Sequence, residues 1–204
     1  SVAIGRQALY VEQTHSSAPN VAVGLLAGRQ VGSGGGNVFV GQHAARYSAS
    51  GITNNVAIRS KALFGKDDST FEGDQNVAVG SLSLEKVEGA SDDNTCVGYS
   101  SGNGITTGDQ NVAIGSKAGE NHTTAADCTY VGFEAGQDNN AASCTYIGGG
   151  AGKEATGTQN TALGQRAYGG TGGSTNGTGN TCIGYRSGEK LTTEDGNIII
   201  GSNQ

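Results

Sequence analysis

A five-residue unit recurs along the whole chain: Asn, a β-branched residue, a variable residue, an aliphatic residue and Gly. It is plainest in Asn20-Val21-Ala22-Val23-Gly24 and Asn111-Val112-Ala113-Ile114-Gly115. With that Gly as position 0, the anchors are Gly5, Gly24, Gly41, Arg59, Gly80, Gly98, Gly115, Gly132, Gly148, Gly164, Gly184 and Gly201. Position −1 is Ile, Val or Leu in all twelve copies, and position −3 is Val, Thr or Ile in all twelve. Position −4 is Asn in nine, including Asn20, Asn37, Asn76, Asn111 and Asn180, with Ser1, Cys128 and Cys144 as exceptions. Position +3 is Ala or Ser in all eleven copies that reach it, and +4 is Gly in six of those. Consecutive anchors stand roughly 16 to 21 residues apart, a period that marks stacked units, each too small to bury its apolar face alone.

The register predicts an all-β chain, a parallel β-solenoid or β-roll of about twelve coils with one short strand pair per coil. Residues −3 and −1 fall on one side of a strand because strand side chains alternate. They are read as the column that packs inside, with −2 facing out. Gly at 0 suits a backbone needing positive φ or lacking room for Cβ. Linkers such as Gly73-Asp74-Gln75-Asn76 carry turn chemistry. No long Gly-free stretch keeps helical spacing. Composition agrees with a thin coil: of 204 residues 37 are Gly, only 34% are apolar, and Trp and Met are absent. One Pro excludes collagen. Residues 1–204 read as one repetitive domain, and the opening on Ser1 within a copy reads as a piece of a longer protein.

The Asn column has two readings: a ladder of side-chain amides running along the stack, or a row of ligand-binding amides. The ladder is simpler, since a residue repeated in every coil serves the coil. Net charge is −6 without any run of Lys or Arg, which argues against nucleic acid and anionic membrane. No apolar run approaches the roughly 20 residues of a membrane span, so no direct insertion is expected.

At Asn20–Gly28, Asn111–Gly119 and Asn180–Gly188 the chain resembles the repeats of trimeric autotransporter adhesin heads. It is closer still to the Asn-Thr-x-Ile-Gly-Tyr-x-x-Gly repeats of phage tail fibres. The resemblance covers essentially the whole chain. It implies left-handed β-rolls packed side by side as a homotrimer, in an extended spike used for attachment to a surface receptor, a glycan or an outer-membrane component. The place it implies is extracellular, on a cell surface, or in a virion tail fibre. In adhesin heads Asn-Ser precedes the Val-Ala-Ile-Gly segment and the repeats are shorter, so matrix binding is not carried over.

Other candidates are sparse. Arg59 replaces Gly at position 0, either as a local irregularity or as a binding residue. Tyr99, Phe133 and Tyr185 share position +1 and form a candidate contact column for sugars or for a neighbouring chain. Tyr47, Phe64 and Tyr168 also lie near the variable linkers. Cys96 and Cys182 occupy −2, where other coils have Ala; Cys128 and Cys144 occupy −4 in adjacent coils, as free thiols or as a bridge. No cysteine spacing makes a metal site, and no cofactor is expected. His15, His43 and His122 read as lone surface residues. No linker column is expected to bring two acids together in successive coils, so an enzyme that cleaves polysaccharide is the weakest reading. A monomeric solenoid binding polysaccharide or ice is the stronger alternative; it needs one regular outward face, and the mixture at −2 counts against that.

Overall fold

A computed structural model describes residues 1–11, 19–49, 51–66, 71–169 and 175–203. The chain is an all-β parallel solenoid. Twelve three-residue strands, from Val2–Ile4 to Ile198–Ile200, each cover positions −3 to −1 of one copy. They form a single sheet in chain order, every neighbouring pair parallel. Equivalent positions align: Val112 pairs with Thr129, Ala113 with Tyr130 and Ile114 with Val131. At about 4.8 Å per step, the eleven turns span roughly 53 Å.

Among the described residues the other sides of the coil carry no second strand. Only isolated bridges occur there among the described residues, Ser48 to Phe71, Phe71 to Gly89 and Ala155 to Thr175. The expected strand pair is absent because positions +2 and +4 adopt left-handed backbone in coil after coil, as at Lys117 (φ 61°) and Gly119 (φ 57°). The amides of these two positions bond in opposite axial directions, while the Ala118 amide between them closes a turn on Gly115 C=O. Lys117 N–H donates back to Tyr99 C=O, and Gly119 N–H donates forward to Ala135 C=O. The turns therefore satisfy their polar groups between coils as the sheet does.

The strand faces the opposite way from the sequence expectation. Position −2 is the core: Ala22, Phe39, Ala57, Ala78, Cys96, Ala113, Tyr146, Ala162 and Cys182 are wholly buried. Positions −3 and −1 lie half-buried or exposed on the outer face of the sheet, with Ile114 at 40% and Leu163 at 47%. A coil this short encloses too little space for two aliphatic columns. One small residue per strand goes inside, joined by Ala or Ser at +3 and by side chains at position +7 such as Val31, Val87 and Ile105.

Glycine at +4 then accommodates the large exceptions at −2. A Cβ on Gly28 would stand 2.6 Å from the Phe39 ring, and one on Gly119 would stand 2.8 Å from Tyr130. Where −2 is Ala57 or Ala78, position +4 of the same coil is Leu63 or Leu84, both buried. Volume is thus exchanged between the two positions, keeping the interior close-packed.

Position 0 is fixed by two constraints at once. Its glycines sit at φ of 126° to 141°, and a Cβ on Gly24 would lie 2.5 Å from the Gly41 carbonyl oxygen. Gly115 (φ 133°) faces the Gly132 carbonyl in the same way. Gly115→Ala is expected to cost about 3 kcal/mol or more, combining backbone strain with a main-chain collision. Gly149→Ala, whose nearest neighbour is the Phe133 oxygen at 3.9 Å, is expected to be nearly neutral. Thermal melts of the two variants check the pair.

Candidate functional site

Three surfaces and one internal spine carry the chemistry. The spine is the Asn column. Asn76 Oδ1 accepts from the Asn94 backbone N–H at 3.0 Å and from Asn94 Nδ2 at 3.1 Å. Asn76 Nδ2 donates to Ser91 C=O at 2.7 Å, in the next coil. The same links join Asn20 to Asn37, Asn37 to Asn55, Asn55 to Asn76 and Asn94 to Asn111. They resume from Asn160 to Asn180 and from Asn180 to Asn197. Asn20, Asn37, Asn76 and Asn111 are fully buried and Asn180 nearly so, so these amides face no ligand. Asn76→Ala orphans the Asn94 amide and the Ser91 carbonyl. At about 1–3 kcal/mol for each buried group left unmade, the expected loss is roughly 3 kcal/mol in urea unfolding.

Cys128 and Cys144 interrupt the spine while keeping half of its function. Their Sγ atoms donate to Ala141 C=O at 3.2 Å and Gly157 C=O at 3.4 Å, the carbonyl column that the Asn amides serve. All four cysteines are free and buried. The thiol of Cys128 is held high by its hydrogen bond to Cys144 and by burial. Burial pushes Cys96 up to about 12, from an ordinary value of 9.0. A thiol kept neutral in the fold contributes stability that is whole below pH 9 and lost between pH 9 and about 12. Replacing Cys96 by the Ala found at −2 elsewhere removes that dependence. The stability difference between wild type and Cys96→Ala is expected to shift toward the variant from pH 8 to pH 10.5, read by urea unfolding at both pH values.

The polar core around coil eight went unseen in the sequence. His122 is not a surface residue: it is wholly buried, with Nδ1 3.1 Å from Asn139 C=O and Nε2 2.9 Å from Ala125 C=O. The signal was its position, +7, which Val31, Val87 and Ile105 occupy in other coils. Burial pushes its pKa below the ordinary 6.5. Tyr130 O–H donates to Asn139 Oδ1 at 2.7 Å, and its ring stacks on Tyr146 at 5.8 Å. Tyr168, a surface candidate in the sequence, is buried too and donates to Gly177 C=O at 2.7 Å. His15 lies outside the described residues.

The first surface is the outer face of the sheet, two continuous columns of Val, Ile, Leu and Thr. At its margin the structure brings Arg59 and Tyr99 together, in a groove of about 340 Å³ lined also by Ile58, Val79, Val97 and Gly98. Arg59 takes φ 98°, a strained conformation for any residue with a Cβ. Phe133 and Tyr185 share the exposure of Tyr99, at 58%, 46% and 53%. They stand in the eighth and eleventh coils with Ser116, Gly149 and Gln165 in the coils between, so the three rings do not form one continuous platform.

The second surface is an acid column that the sequence reading missed. Asp74, Asp92 and Asp109 occupy position −6 of three successive coils. The Oδ1 atom of Asp92 accepts the Asp74 N–H at 2.7 Å, and that of Asp109 accepts the Asp92 N–H at 2.9 Å. Unequal linker lengths hid the alignment, which appears only when counting backward from each Gly. These carboxylates serve as caps for the preceding coil's backbone. Among the described residues no group of three or more His, Cys, Asp or Glu side chains is placed to hold a metal ion.

The third surface lies on coils three to five. His43 stacks on Phe64 at 6.1 Å, Tyr47 meets Phe64 edge-on at 5.0 Å, and the Arg46 guanidinium lies 4.7 Å from the Tyr47 ring. Burial, then Arg46 and Lys61, lower the His43 pKa. Lys61, Phe64, Gly65, Lys66, Glu85 and Lys86 line a groove of about 300 Å³ beside it. No family model, curated protein or solved structure matches the chain.

Proposed function

We propose that this chain is the shaft or head of a homotrimeric fibre that attaches a cell or virion to a surface receptor. The observation that carries the reading is the outer sheet face. All twelve residues at −1 are aliphatic, and seven of the twelve at −3 are Val or Ile, the remainder Thr. The face measures roughly 50 Å by 10 Å at ordinary strand spacing. That area, about 500 Å², falls in the upper part of the range of about 300–600 Å² for the largest apolar patch of a typical monomer, patches that are often functional. Two further copies of the same chain are occupants of the right length and chemistry, because each presents an identical column. The resemblance to trimeric adhesin heads and tail-fibre repeats supports the same assembly. Stiffness then comes from stacked strands, and avidity from three copies of every lateral surface.

A second reading is favoured by the same face. Its outward positions repeat the same chemistry in every coil, which is the regular surface that a monomeric binder of ice or crystalline polysaccharide needs. The heterogeneous side chains at position −2 no longer count against it, since they point inward.

Native mass spectrometry separates the two. A species of three chains, each of 20.3 kDa, is expected for the wild type. Ile114→Glu with Ile147→Glu, both on the outer face, is expected to give a folded 20.3 kDa species. A wild-type chain that stays at 20.3 kDa at micromolar concentration overturns the trimer. Thermal hysteresis or retention on crystalline cellulose by such a monomer supports the second reading.

A further inference from the structure

Charge is segregated along the rod. Residues 1–66 carry six Lys and Arg against the single carboxylate Glu12, whereas residues 67–204 carry six against seventeen. Because the strands stack in chain order, this becomes an axial separation, with the first four coils basic and the others acidic. The coil period also aligns side chains that are far apart in sequence. Position +5 holds Arg46, Phe64 and Glu85 in coils three, four and five, while +6 holds Tyr47, Gly65 and Lys86. Gly65 has no side chain between Tyr47 and Lys86, which opens the groove described above. A Cβ there would lie 3.0 Å from Tyr47 Cβ.

The cations of this surface are unequally engaged. Lys61 pairs with Glu85 at 3.4 Å and Lys66 with Glu88 at 2.6 Å. Arg46 and Lys86 have no carboxylate partner among the described residues. The Arg46 Nε atom is buried without a hydrogen-bond acceptor, as is that of Arg29 at the same position one coil earlier. Nε lies beneath the surface, so it is the two terminal nitrogens of the guanidinium, held over the Tyr47 ring, that can pair with a carboxylate.

We propose that this surface binds an acidic polysaccharide, a chain of uronic-acid type. Arg46 and Lys86 take its carboxylates, the Tyr47 ring packs on a sugar face, and Glu85 accepts sugar hydroxyls. The proposal deepens the attachment reading and rests on it for its biological purpose. Charge geometry selects this ligand over nucleic acid. The surface spans coils three to five, roughly 10 Å of axis; its groove lies on coils four and five, and the acidic coils begin within it. A duplex carries one charge per about 1.7 Å of its axis and would run against those coils. A polymer with one carboxylate per sugar ring places few charges within the groove and offers hydroxyls to its acids. The surface lies apart from the aliphatic face, so assembly through that face leaves it open in every copy.

The test measures binding of the intact chain to polygalacturonate, with neutral dextran and duplex DNA as the other arms. Oligomeric mass is recorded on the same samples. Polygalacturonate is expected to bind in a salt-sensitive way, and dextran not to bind. Arg46→Gln with Lys86→Gln is expected to weaken binding at least tenfold. Arg166→Gln with Lys190→Gln, on the acidic coils, is expected to leave it unchanged, and circular dichroism reports whether each variant keeps its fold. Unchanged binding by the Arg46/Lys86 variant, equal binding of dextran, or tighter binding of DNA overturns the proposal. A trimer that ignores polygalacturonate loses the site and keeps the fibre; a monomer that binds it keeps the site and loses the fibre.

Discussion

Everything in this molecule depends on the buried asparagine amides. So short a coil has almost no interior, yet its corner brings backbone N–H and C=O groups inside where water cannot reach. Each Asn side chain accepts from the next coil's amide and donates to that coil's carbonyl, so the cost of burying those groups is met by a neighbour one step along. The arrangement works in one register only. A slip of one residue would turn the aliphatic columns inward, where there is no room for them, and break the amide chain at the same time. Register is thus enforced by packing and by hydrogen bonding together.

The sequence made the repeat, its period and the parallel stack legible, because these depend on positions that recur in every copy. It misled on which side of the strand is buried. The usual rule puts Val and Ile inside and lets small or mixed positions face water. In so narrow a coil the rule inverts, since Ala22 or Ala57 fits the lumen and Val21 with Val23 does not. The rings of Phe39, Tyr130 and Tyr146 disguised the pattern further, because position −2 looked too variable to be a core. Their compatibility rests on the absence of a side chain at Gly28, Gly119, Gly136 and Gly152, a pairwise trade that single-column reading does not register.

The candidate surfaces were legible to a similar degree. Arg59 and Tyr99 were singled out from the sequence, and the fold sets them in one groove. Phe133 and Tyr185 were grouped with Tyr99 by position but stand coils apart. Asp74, Asp92 and Asp109, like Arg46 and Lys86, showed no clustering along the chain because one or more whole repeats lie between them. Solenoid geometry converts such separations into a few ångströms, so runs of charge are the wrong statistic for a chain of this kind. Charge tabulated by coil position is the right one.

The left-handed turn residues carry a consequence of their own. At +2 the chain accepts Gln7, Leu26, His43, Lys61, Leu82, Glu134 and Arg186 in nearly the same conformation. The backbone there is held by neighbouring coils and not by side-chain identity, so outward chemistry can be rewritten without altering the scaffold. Adding or deleting one coil displaces every feature beyond it by a single strand spacing along the axis. The rod therefore behaves as a graduated rule, on which the distance between two recognition patches is written in the number of repeats between them.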